Sequence, residues 1–174
     1  LAPETSSSFE GLPIRGGDEI LPRLRRDGVT HFAMGRGGIG DNGPRRLTHE
    51  RAVGADLKPL TILHPSAVIA STAAVDSGAV VLARAVLGPG CRIGENAIIN
   101  TAAVVEHDCE IAAHAHIATG ALLCGGVRVG ASAHIGAGAV VLQGLSIGRG
   151  SLIGAGAVVT RDIPAGKLAV GVPA

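Results

Sequence analysis

From residue 62 to residue 163, apolar and small residues recur every six positions without a slip. Seventeen consecutive blocks run from ILHPSA to VVTRDI. The second residue of each, from Leu63 to Val159, is always Leu, Ile or Val. The sixth is usually small: eleven Ala, Cys91, Cys109 and Ser151, with Val127, Leu145 and Ile163 as the exceptions. A period of six matches neither 3.6 nor 3.5, so the pattern excludes a helix. It suits a short strand followed by a turn, because β-branched and aliphatic residues dominate and glycine sits at many junctions. Three blocks close one triangular coil of 18 residues. The aliphatic position then faces inward on every side, and the small position fits where the interior narrows. Coils of this kind stack in parallel at about 4.8 Å, each pairing with its neighbours.

The first sixty residues differ in kind, and the chain reads as two units, 1–60 and 61–174. Leu1 to Ser8 reads as a flexible end. Asp18 to Asp27 reads as a short helix capped by Asp18, stopped by Gly28 and weakened by Pro22. Thr30 to Met34 reads as a strand, 35–43 as a loop, Pro44 to Ala55 as a helix with proline at its start, and Leu60 to Leu63 as a strand leading into the prism. This is an α/β alternation. The loop carries Gly35, Gly37, Gly38 and Gly40 ahead of a helix. Such a loop either cradles a phosphate or simply makes a tight turn. Arg36, Arg45 and Arg46 beside it either pair with phosphates or are solvated.

Composition narrows the partners. The chain is 47% hydrophobic, yet has two Phe and no Trp or Tyr, as a narrow aliphatic prism requires. Its net charge is +1 and its cations are dispersed, which argues against nucleic acid. No apolar run reaches membrane-spanning length and no signal peptide is visible, so no membrane partner and a cytoplasmic location are expected. Three cysteines need no disulfide there. Cys91 and Cys109 read as buried space-fillers, and Cys124 as more exposed.

The chemistry concentrates in NTAAVVEHDC, residues 100–109. His107 follows the inward Val105 and so falls at a turn, with Asp108 directly after it. An imidazole beside a carboxylate suits a general base, since the carboxylate holds the tautomer and raises basicity. His116 and His134 lie 18 residues apart and should stack in adjacent coils. His134 reads as a surface ladder residue. His64, before Pro65, reads as structural.

The runs HPSA (64–67), INT (99–101), VVEHDC (104–109), HIATGA (116–121) and the ending VVTRDIPAGKLAVGVPA resemble the hexapeptide-repeat acyltransferases that modify nucleotide sugars. That group holds sialic-acid O-acetyltransferases and the N-acetyltransferases of 4-amino sugars such as bacillosamine precursors and perosamine. The resemblance extends from Phe9 onward. It implies a left-handed parallel β-helix, acetyl-CoA as co-substrate, no metal, and a homotrimer with sites between subunits. It makes His107 the general base toward an amino group or a hydroxyl, with Asp108 raising its basicity. It places His116 near the thioester or pantetheine, and Gly125, Ala137 and Ala155 along the CoA arm. A backbone N–H, with Gly125 as candidate, would steady the oxyanion. Members of the family open with a strand, a Gly-His turn and a helix that hold the nucleotide. This chain starts at Leu1, after that point, so it reads either as a fragment or as an enzyme with a non-nucleotide acceptor. A catalytically silent binding prism is a further alternative. A zinc enzyme of the γ-carbonic anhydrase type needs histidines 36 and 5 residues apart, and no pair among His107, His114, His116 and His134 has either spacing.

Overall fold

The computed structural model describes residues 8–174. The sequence-based expectation for Leu1 to Ser8 therefore lies outside the described residues, except at Ser8. There Ser8–Phe9 pairs antiparallel with Leu12–Pro13.

Each six-residue block forms one two-residue strand and one corner. The strands assemble into three parallel faces. The first contains Ile62–Leu63, Val80–Val81, Ile98–Ile99, His116–Ile117, His134–Ile135, Leu152–Ile153 and Leu168–Ala169. The second runs from Val68–Ile69 to Val158–Val159, and the third from Ala74–Val75 to Ser146–Ile147. Register is set by the repeat: His116 pairs with His134 and Val104 with Leu122, each 18 residues on. The chain is a parallel β-helix of hexapeptide repeats.

From Val81 to Val159 every inward aliphatic residue is at most 2% exposed. Burying each such side chain contributes about 1.5–3 kcal/mol relative to leaving it in water. Leu63 is 49% exposed, because it lies in the first coil, where the stack begins. From Ala79 onward the small residues line the narrow corners at 0–1% exposure, with Val127 accommodated among them at 0%, while Ala67 and Ala73 in the first coil are half-buried. The thiol of Cys91 donates to the Glu106 carbonyl at 2.9 Å and that of Cys109 to the Cys124 carbonyl at 3.2 Å. Burial pushes the Cys109 thiol up to about 11. These two cysteines are inert space-fillers, and Cys124 is half-buried.

The corners force the backbone through the left-handed region. Gly90, Gly126 and Gly144 have φ of +74, +70 and +71° at the corners between the second and third faces. Asp108 occupies the equivalent place with φ +58°. Glycine is the usual residue for that conformation, and aspartate tolerates it better than most.

The repeat does slip once. Ile147 pairs with Ile163 and Ile153 with Ala169, a spacing of sixteen rather than eighteen. Ile163 is therefore no exception at the small position. It takes the inward aliphatic slot of a shortened corner, 7% exposed, and the Asp162 carboxylate accepts the Ser146 N–H at 2.8 Å.

The N-terminal part is a βαβ unit. Strand His31–Phe32 pairs in parallel with Lys58–Pro59, and the crossover helix runs Gly43–Gly54. Before it, a 3-10 turn at Asp18–Ile20 leads into a helix at Leu21–Arg26. Pro22 falls in the first turn of that helix, where its missing N–H costs nothing. Asp18 is not the cap. Gly17 is, with its N–H held by Glu19 at 2.8 Å, while Asp18 pairs with Arg51 at 3.1 Å. Gly28 ends the segment at φ +93°. Leu60 to Leu63 is not one strand, since Lys58–Pro59 belongs to the βαβ sheet and Ile62–Leu63 to the prism.

The βαβ unit docks on the first face. Asn42 donates to the carbonyls of Ser132 and Ala133 at 3.3 and 3.1 Å. His49 packs edge-on against His114 and Phe32, with ring centroids 5.6 and 5.5 Å away.

Candidate active site

His107 stands at a corner between the second and third faces, with its side chain 62% exposed. Its Nδ1 lies 2.9 Å from Asp108 Oδ2. A carboxylate at that distance takes the Nδ1 proton as a hydrogen bond and leaves Nε2 as the free lone pair. That nitrogen lies over Gly125, the residue one coil further on. A Cβ built on Gly125 would sit 2.4 Å from Nε2. Glycine is present here because the imidazole occupies the space a side chain would need. The N–H of Gly125 has no acceptor among the described residues. His107, Asp108 and Gly125 thus form one cluster: an imidazole with a free Nε2, the carboxylate that orients it and a glycine N–H without an acceptor among the described residues.

His116, Ala137 and Ala155 are elsewhere. They line a groove of about 550 Å³ along the corner between the first and second faces, together with Gly38, Ile39, His134 and Leu152. The corner stacks regularly, with Gly138 N–H donating to Thr119 and Gly156 N–H to Ala137, both at 2.9 Å. The N–H groups of Ala137 and Ala155 make no hydrogen bond among the described residues. A groove with an apolar floor and a row of free amide donors suits a long, flexible arm that carries amides of its own.

His116 is 6% exposed and both ring nitrogens are engaged. Nδ1 lies 2.8 Å from the Gly38 carbonyl, which can only accept, so Nδ1 carries the proton. Asn100 Oδ1 takes the Thr101 N–H at 2.7 Å, so its Nδ2 is the group 3.0 Å from His116 Nε2 and donates to it. Burial lowers the His116 pKa, and the ring is neutral. His134 stacks one coil above, with ring centroids 4.8 Å apart. It is not a surface residue as its position suggested. It is 6% exposed because the glycine loop covers the first face, and burial lowers its pKa to about 4.

Sequence reasoning passed over Ile39, gave Asn100 no role of its own, and read Gly38 only as part of a phosphate cradle or tight turn. Asn100 had a legible signal: it is a polar residue in the third position of the block IINTAA, directly after the aliphatic strand pair Ile98–Ile99. The loop contacts had none, since Gly38 meets His116 across 78 residues of chain. Ile39 is 96% exposed at the groove. His64 is structural, with Nδ1 2.8 Å from Ser66 Oγ. His114 sits at a third corner against Asn96 and takes no part in either cluster. Among the described residues, no three His, Cys, Asp or Glu gather in a way that would hold a metal ion. No helix among them is long and apolar enough to cross a membrane.

The two clusters flank the second face. Its outward residues, Val68, Val86, Val104, Leu122, Val140 and Val158, form a stripe of aliphatic side chains, with Val68 64% and Leu122 36% exposed.

Residues 126–161 match the family of bacterial transferase hexapeptide repeats. No curated protein matches the chain. Among solved structures, the chain is 38% identical to a GDP-perosamine N-acetyltransferase from Caulobacter crescentus, a histidine variant crystallised with CoA and GDP-perosamine. The match covers 97% of this chain and 79% of that one, with a TM-score of 0.91. It is 36% identical to the acetyltransferase domain of PglB from Neisseria gonorrhoeae, crystallised with acetyl coenzyme A, over 98% and 82% of the two chains at a TM-score of 0.88.

Proposed function

The chain belongs to the hexapeptide-repeat acetyltransferases that act on nucleotide-linked amino sugars, and we propose that it moves the acetyl group of acetyl-CoA onto the amino group of a 4-amino sugar nucleotide. The observation that carries the reading is the His107–Asp108 pair, with Nε2 free and set over the unused N–H of Gly125. The amine nitrogen attacks the thioester carbonyl carbon as His107 Nε2 accepts an N–H proton. The carbonyl oxygen gains negative charge and takes a hydrogen bond from the Gly125 N–H. The C–S bond then breaks, the oxygen returns to a carbonyl, and the CoA sulfur leaves with the proton. No covalent enzyme intermediate is needed, and positioning with base catalysis supplies the rate.

The donor lies in the groove of Ala137 and Ala155, with its thioester toward His116. His107 does not line that groove within one chain. A neighbouring copy packed on the aliphatic stripe would set its base beside this groove, so the working form is a closed ring of copies, a homotrimer in our reading.

The test follows CoA release from acetyl-CoA with a panel of UDP- and GDP-linked 4-amino sugars. Release should depend on one of them, and His107→Ala should lower turnover by about 10²–10⁴. Near-normal turnover of that variant would remove His107 as the base.

A further inference from the structure

Arg45 is 2% exposed, and no carboxylate pairs with it among the described residues. Its Nη1 donates to the carbonyls of Met34 and Arg36, while Nε and Nη2 have no partner. Burial lowers its pKa to about 10, so it stays a cation at neutral pH. An uncompensated buried cation is costly and points to an absent anion.

The loop in front of it is polarised in the matching sense. Its carbonyls turn inward: Met34 and Arg36 to Arg45, and Gly38 to His116. The N–H groups of Gly35, Arg36, Gly37, Gly38, Ile39 and Gly40 donate to nothing among the described residues. The first N–H of the following helix, that of Gly43, is already taken by Asp41 at 2.7 Å. The free donors therefore run along the loop ahead of the helix rather than resting on its first N–H alone. Gly35, Arg36, Gly37 and Arg45 line one wall of a cavity of about 290 Å³, with Asn100 and His116 on another and Ile62, Val80, Leu82 and Ile98 as its apolar floor.

We infer that this loop, backed by the buried Arg45, is an anion site that holds the diphosphate of the acceptor. The choice of acceptor over donor rests on the acetyl-transfer reading above and on chain lengths. In CoA the diphosphate is separated from the sulfur by the whole pantetheine arm. In a nucleotide sugar it is one ring away from the amino group. The cavity meets the donor groove only at Asn100 and His116, where that reading sets the thioester, and runs away from Ala137 and Ala155. A diphosphate that near the reacting carbon belongs to the acceptor. Arg45 acts through the loop as a positioning residue. It fixes the carbonyls inward and sets positive charge behind the donors.

The test uses the full chain and inorganic pyrophosphate as probe. Calorimetry should show binding to the wild type, and binding weakened about tenfold or more in Arg45→Gln and Gly37→Ala. A Cβ on Gly37 meets nothing within 4 Å, so that variant folds and carries the test even if Arg45→Gln does not. In kinetics, pyrophosphate should compete with the acceptor and not with acetyl-CoA. Both variants should raise KM for the acceptor and leave KM for acetyl-CoA unchanged. No binding to the wild type, equal binding to Gly37→Ala, or competition with acetyl-CoA would each overturn the assignment. Pyrophosphate bound and lost in the variants, with no acetyl transfer to any sugar nucleotide, would support the anion site and sink the acetyl-transfer reading instead.

Discussion

The proposed base at His107 has two neighbours that act differently. Asp108 fixes which nitrogen is free, and Gly125 fixes where that nitrogen points. The pair was legible as a His-Asp dipeptide at a turn. Gly125 was named only through the family resemblance, and its contact with the His107 ring was not legible, because it depends on an imidazole crossing from the coil below. Gly125→Ala should leave the fold intact, since the φ of Gly125 is not in the left-handed region. Its methyl must displace the ring, as the 2.4 Å contact shows. Turnover should fall about tenfold or more while the melting midpoint stays near that of the wild type. Unchanged turnover with a shifted melting midpoint would make Gly125 structural rather than catalytic.

At the scale of elements, the first face differs from the other two. The second presents aliphatic side chains outward and the third presents Arg92, Glu110 and Arg128. The first carries a histidine ladder beneath a glycine loop. The pKa of His134 falls from the ordinary 6.5 to about 4, and those of His116, His49 and His114 fall as well, each chiefly through burial. Above pH 6.5 neither folded nor unfolded chain holds these protons, and stability is full. Between pH 6.5 and 4 the unfolded chain binds the His134 proton first, so acid favours unfolding by up to about 1.4 kcal/mol per pH unit from this group, and the other three histidines act in the same direction below pH 6.5. The urea midpoint should therefore drop from pH 7 to pH 5, and drop less in His134→Leu. Equal slopes in the two proteins would show that His134 titrates normally.

At the scale of the molecule, the proposed base His107 does not line the proposed donor groove of Ala137 and Ala155 within one chain. Two defective copies should then repair each other. His107→Ala lacks the base, and Ala155→Trp obstructs the groove. Refolded together in equal amounts, they should recover activity at about a quarter of the sites of a closed ring. No recovery from the mixture, with each variant folded and oligomeric, would place the whole site within one chain.

The prism, its three faces, its inward ladder and the corner position of His107 were all determined by the sequence itself. A six-residue repeat stacks each block on the one 18 positions later, so register follows from counting. Counting failed at Ile163, where a shortened corner changes the spacing but not the residue types. The glycine loop, the burial of His134, the captive Arg45 and the seat of His107 over Gly125 were decided only by tertiary structure. Each depends on groups brought together across the turn of a coil or across the junction of loop and prism, and no local period encodes that distance.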